Sequence, residues 1–148
     1  MNTSTKTAER CLHLIDIENL TSGVLNISSQ SVSNVLNLFL RVSKWKLGDL
    51  LVIAANPGLM KVFAFDLFEL PARLLCGKGP DGADKLLLSA VPKNLESSFN
   101  RIVVGSGDHI FAPLLRGTRL EKTVVYGCEG SLSWELYSSA NQVIQLDL

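Results

Sequence analysis

The sequence predicts an α/β protein, a three-layer α/β/α sandwich with a mainly parallel central sheet of five or six strands. Three observations carry that expectation. Runs such as Leu12–Ile15, Leu50–Ala55 and Ile102–Val104 are apolar throughout instead of alternating, as strands covered on both faces are. Apolar residues at helical spacing fill the stretches between them. Strand-type and helix-type segments alternate along the chain with short connections, the order expected of βαβ units.

The elements follow in turn. A flexible N-terminal arm is expected over residues 1–10, and a single domain over 11–148. After the first strand, Thr21 to Ser31 is polar and turn-rich. Val32, Val35, Leu36, Phe39 and Leu40 then share one face of an amphipathic helix, with Ser29 or Ser31 as its cap. The second strand, Leu50–Ala55, stops at Asn56-Pro57, an N-cap followed by proline at the first helical position. Met60, Phe63, Ala64, Leu67 and Phe68 keep helical spacing up to Pro71. Ala72–Cys76 reads as a third strand. A loop with glycines at 77, 79 and 82 leads to a helix from Ala83 to Val91, for which Asp81 is a candidate cap. Pro92–Asn100 reads as a connector and Arg101–Gly105 as the fourth strand. Ile110, Phe111, Leu114 and Leu115 mark the next helix and Lys122–Tyr126 the fifth strand. A last helix is expected over Leu132–Ala140 and a sixth, edge strand over Gln142–Leu146.

Composition narrows the function classes. With 47% apolar and 19% charged residues, the chain can bury a core and is not a disordered tail. No apolar run approaches the roughly 20 residues of a membrane helix, so no membrane partner is expected. The first residues are polar, unlike a signal peptide, and three cysteines without paired spacing suit free thiols in a reducing cytoplasm. Two histidines and no Cys-x-x-Cys argue against zinc. Fourteen basic and fourteen acidic residues cancel, so a polyanionic partner would be held by a local patch and not by a global field. The glycines at 77 and 79 form neither a P-loop nor a dinucleotide fingerprint.

The acids supply the functional clue. Asp16 leaves strand one and Asp108 leaves strand four, both at carboxyl ends, where open α/β sheets bind ligands. Asp84 stands in the first turn of the helix after strand three and faces the same edge. If the strand order reverses beside strand one, three carboxylates share one crevice. Such a cluster of hard oxygens suits Mg²⁺ or Mn²⁺. Each aspartate taken alone is equally well explained as a helix cap near a positive helix end. Trp45 and Trp134 are able to stack on bases, although aromatics near helix ends usually pack on the core.

Three blocks carry a resemblance to a known family. Ile15-Asp16-Ile17-Glu18-Asn19-Leu20, Gly82-Ala83-Asp84-Lys85-Leu86-Leu87-Leu88, and Val104-Gly105-Ser106-Gly107-Asp108-His109-Ile110-Phe111-Ala112-Pro113-Leu114 resemble the motif blocks of the NYN domain. That domain is a branch of the PIN-like nuclease superfamily. The likeness runs in the right order over nearly the whole chain, and the third block is the most specific. It implies a PIN-like fold and a divalent-metal-dependent ribonuclease acting on single-stranded RNA, with Asp16, Asp84 and Asp108 holding Mg²⁺ or Mn²⁺ and serving as the catalytic acids. Asn19 corresponds to a polar residue beside them; Ser106 and His109 flank Asp108 and join the candidate site. Many family members carry a further aspartate where this chain has Ile110. Glu18 and Glu129 are the candidates to make up that deficit. A second expectation, a catalytically weak or inactive NYN fold that binds RNA or protein, draws on Ile110 and the neutral charge. A homo-oligomer is compatible with either, and a receiver-like phosphotransfer domain fits the residues less well.

Overall fold

The computed structural model describes residues 9–63, 70–79 and 81–148. Six strands form one all-parallel sheet in the order β3-β2-β1-β4-β5-β6. They are β1 (Cys11–Asp16), β2 (Leu50–Ala55), β3 (Ala72–Cys76), β4 (Arg101–Gly105), β5 (Glu121–Tyr126) and β6 (Gln142–Gln145). The order reverses at β1, which pairs with β2 on one side and β4 on the other, with Ile15 opposite Gly105. β6 takes an edge, as expected, and its pairing with β5 is parallel.

Two apolar cores flank the sheet because successive strand residues point to opposite faces. Cys11, Ile15, Leu51, Ile53, Val103 and Val125 face α2 (Ser29–Val42) and α3 (Pro57–Phe63), after a first short helix α1 (Ile17–Leu20). Leu12, Leu14, Val52, Val104 and Val124 face α4 (Gly82–Ser89), α6 (Ala112–Arg116) and α7 (Trp134–Tyr137). The result is the expected three-layer sandwich. Val32, Val35, Leu36 and Phe39 are the buried stripe of α2.

Several boundaries differ from the sequence expectation for physical reasons. The cap of α2 is Ser28. Its hydroxyl accepts from the Ser31 N–H at 3.1 Å while Ser31 Oγ accepts from the Ser28 N–H at 2.8 Å, a capping box that uses both serines. Asn56 caps α3 as read, its Oδ1 accepting from the Leu59 N–H at 2.7 Å. The expected continuation of that helix through Ala64, Leu67 and Phe68 lies outside the described residues. The connector contains a short helix, α5 (Leu95–Ser98). The helix after β4 begins as a 3-10 turn, His109–Phe111, and the last helix is only the four residues of α7. The arm over residues 1–8 is likewise outside the description; at its end, Arg10 N–H donates to Asn100 Oδ1 at 2.9 Å.

His13 is a hydrogen-bonded core histidine, as its mid-strand position suggests. It is fully buried, and its Nε2 lies 3.0 Å from Asp49 Oδ2. Burial lowers its pKa against the pull of that carboxylate, so the ring is neutral and Nε2 donates. Asp49 also accepts from the Cys11 N–H at 3.0 Å and the Lys46 N–H at 3.1 Å, latching the loop before β2 to the start of β1. Asp49→Ala leaves two backbone donors and the imidazole without partners, and is expected to cost about 2–4 kcal/mol. Urea unfolding measures it; a change below about 0.5 kcal/mol would mean that water replaces the carboxylate.

Candidate metal centre

Three carboxyl ends of the fold meet at the strand-order reversal. Asp16 closes β1 in an extended conformation and caps α1, its Oδ1 accepting from the Asn19 N–H at 3.3 Å. Asn19 in turn reaches across the reversal, its Oδ1 accepting from the Gly107 N–H at 2.8 Å. That bond fixes the loop leaving β4 against the loop leaving β1. Gly107 admits no side chain, because a Cβ there would run into the Ser131 carbonyl. Ser106 is fully buried beneath the loop, and its Oγ accepts from the Asp108 N–H at 3.1 Å. Asp108 then caps the 3-10 turn, with Oδ1 accepting from the Ile110 N–H at 3.0 Å.

The third arm comes from the loop after β3. The Gly77 backbone lies directly against Gly82 and Ala83, so a Cβ on Gly77 would collide with main chain. This contact folds the loop back and sets the first turn of α4 over the sheet edge. Asp84 on that turn is 6% exposed, and Asp16 is 5% exposed. Asp81 adopts a left-handed conformation with φ 57° and makes no capping hydrogen bond. Asp81 thus holds the N-cap position of α4 as expected, but its side chain does not cap the helix.

Carboxylate oxygens of Asp81, Asp84 and Asp108 lie within 4.8 Å of one another. Asp16 faces Asp84 from the end of β1 but stands outside that group of three. Burial first, and then the facing carboxylates of Asp16 and Asp108, push the Asp84 carboxyl up to about 9. Its Oδ1 is buried with no hydrogen-bond partner. Among the described residues, no lysine or arginine forms an ion pair with any of the four. A cation could be held by this cluster. Oxygen-only donors on three loops match a hard divalent ion, so the residues fit Mg²⁺ or Mn²⁺.

The acids line an open cleft of about 330 Å³, shared with Glu18 and Asn19. Glu18 is exposed on its wall. His109 stands at the rim with its side chain 69% exposed and Nδ1 3.3 Å from Asp108 Oδ1. Glu129 is exposed in the turn after β5 and is not among the lining residues. Ile110 packs against the second core and does not point an acid position at the cleft. A further carboxylate beside Asp84 and Asp108 comes from Asp81, three residues before Asp84, which the sequence reading took only as a helix cap. Two acids at i and i+3 beside a helix start share one side, and that spacing was the available signal.

A second trio, Cys11, His13 and Asp49, also lies within 4.8 Å at the opposite end of β1. Its carboxylate oxygens are taken by N–H donors, and burial pushes the Cys11 thiol up to about 12. It is a structural latch. Cys11, Cys76 and Cys128 are all free thiols. Among the described residues no helix is long and apolar enough to cross a membrane.

No family model matches the chain, and no curated protein matches it. Among solved structures it is similar to the crystal structure of VPA0982, a protein of unknown function from Vibrio parahaemolyticus RIMD 2210633. The TM-score is 0.69 at 18% identity, over 99% of this chain and 97% of that one. At that identity the likeness bears on the fold alone, and it extends over the whole α/β/α architecture.

Proposed function

We propose that the protein is a divalent-metal-dependent ribonuclease of the NYN type, hydrolysing phosphodiester bonds of RNA at the cleft between β1 and β4. The observation that carries this reading is the Asp84 carboxyl, buried, unpartnered at Oδ1 and faced by Asp16 and Asp108. A fold has no stabilising use for three facing carboxylates, since each raises the cost of ionising the next. Clusters of this kind are kept for chemistry.

A bound Mg²⁺ or Mn²⁺ supplies charge neutralisation for a phosphodiester and lowers the pKa of water. Asp81, Asp84 and Asp108 would hold the ion, with Asp16, which faces Asp84, as the further carboxylate at the site. Asn19 keeps the two loops in register, so the acids are preorganised before substrate arrives. Ser106 holds the Asp108 backbone from below. His109 at the rim is placed to donate to a phosphate oxygen from the solvent side.

Thermal melting with and without Mn²⁺, beside a cleavage assay on single-stranded RNA, tests the reading. Mn²⁺ is expected to raise the melting temperature in proportion to site occupancy, and RNA to be cut in Mn²⁺ and spared in chelator. Metal binding without cleavage would leave a binding module. No melting shift at millimolar Mn²⁺ would remove the metal centre altogether.

A further inference from the structure

We propose that Trp134 and Tyr137 form a base-stacking platform that feeds unpaired RNA into the acid cleft, an inference that rests on the nuclease reading for what the strand meets next. Trp134 is 73% exposed and Tyr137 50% exposed, and both stand on α7. Their rings stack on each other, with centroids 5.5 Å apart and planes inclined by 22°. The sequence expectation that Trp134 packs against the core is thereby corrected; Trp45 does pack there. Two large aromatics held face to face in solvent expose a flat apolar surface of a kind that folded chains seldom leave without a partner.

The platform is rigid and tied to the cleft. Leu136, between the two residues in sequence, is fully buried in the second core, and Ser133 caps the helix by accepting from the Leu136 N–H at 3.1 Å. The Ser133 N–H donates to the Gly107 carbonyl at 2.8 Å, one residue from Asp108. The Ser131 carbonyl fills the space that a side chain at Gly107 would need. Backbone dimensions then limit the Trp134 and Asp108 Cα atoms to a separation of about 10 Å.

The occupant that fits is a single-stranded nucleic acid. Each base has a π-face to continue the aromatic stack. Bases in a duplex are already stacked on one another and have no face to offer.

The test measures binding of a short 2′-O-methyl RNA, which resists cleavage, in Mg²⁺ by anisotropy of an end label. Trp134→Ala and Tyr137→Ala should each weaken single-strand binding about 5- to 150-fold. Trp134→Phe should keep most of the affinity, and a duplex of the same sequence should bind no better than the alanine variants bind the single strand. The melting shift with Mn²⁺ should be the same in all variants, because none of them touches the acids. Equal affinity in wild type and Trp134→Ala, equal binding of duplex, or no RNA binding by the wild type would each overturn the platform. So would self-association that Trp134→Ala abolishes while RNA binding stays unchanged. Weakened binding in Trp134→Ala with no Mn²⁺-dependent cleavage by the wild type would keep the platform and reject the nuclease. Normal cleavage with unaltered affinity would do the reverse.

Discussion

Asp108→Asn is expected to abolish most Mn²⁺-dependent RNA cleavage while leaving the metal-free protein as stable as before, or more so. The carboxylate has two jobs that this substitution separates. As a cap, its Oδ1 accepts from the Ile110 N–H at 3.0 Å, and an asparagine oxygen does the same about equally well. Its backbone N–H still donates to Ser106 Oγ. As a metal ligand it contributes a charge that asparagine lacks. Removing one anionic oxygen relieves repulsion on Asp84, so metal-free melting stays level or rises. The melting shift with Mn²⁺ shrinks with occupancy, and cleavage falls by at least about 100-fold, the scale of losing one preorganised charge-stabilising group. If the variant keeps both the full metal shift and full cleavage, Asp108 is only a cap, and the metal centre assigned here falls with it.

Asp84→Asn should change how stability depends on pH. The folded carboxyl sits at about 9 against an ordinary 3.8. In that interval the native state keeps a proton that the unfolded chain has released. Stability from this group is therefore greatest below about pH 4 and is lost as pH rises toward 9. Asparagine is neutral throughout and removes that slope. The metal-free variant should match wild type near pH 4 and melt several degrees higher at pH 8, each kcal/mol being worth about 2–4 °C in a domain of this size. Mn²⁺ reverses the ranking at pH 8, because the wild type exchanges its proton for the ion and the variant has no charge to offer. Melting curves across pH, with and without Mn²⁺, give the answer. Parallel pH profiles for the two proteins would show that Asp84 is ionised without help, and that the cluster is looser than the geometry indicates.

The central strands β1, β2 and β4 were readable because their sequences carry burial on both faces, and that demand admits few alternatives. Asp16, Asp84 and Asp108 were readable for a related reason. Each follows or overlies a strand end, and a parallel sheet brings all such ends to one edge. Asp81 was not, since its role depends on a left-handed backbone at a residue that equally well caps a helix. Glu129 shows the converse, because a loop after a strand can turn its side chains either way. Trp134 escaped because spacing over Leu132–Ala140 suggested a longer helix, in which it would have met the core. The four residues of α7 bury Leu136 alone. Ile110 was readable as an apolar face residue with Phe111, Leu114 and Leu115, and it packs against the second core.

The reversal of strand order at β1 also dictates when the site comes into being. β1 can pair with β2 after a local excursion, but its pairing with β4, through Ile15 and Gly105, closes a loop of most of the chain. Contacts of such high sequence separation form late, since the entropy of closure is spent before they are rewarded. A chain arrested before β4 docks carries Asp16 without Asp108, and the two loops lack the Asn19 tie. The crevice at the reversal, and with it the proposed metal centre, therefore waits on the docking of β4, a strand drawn from the final third of the chain.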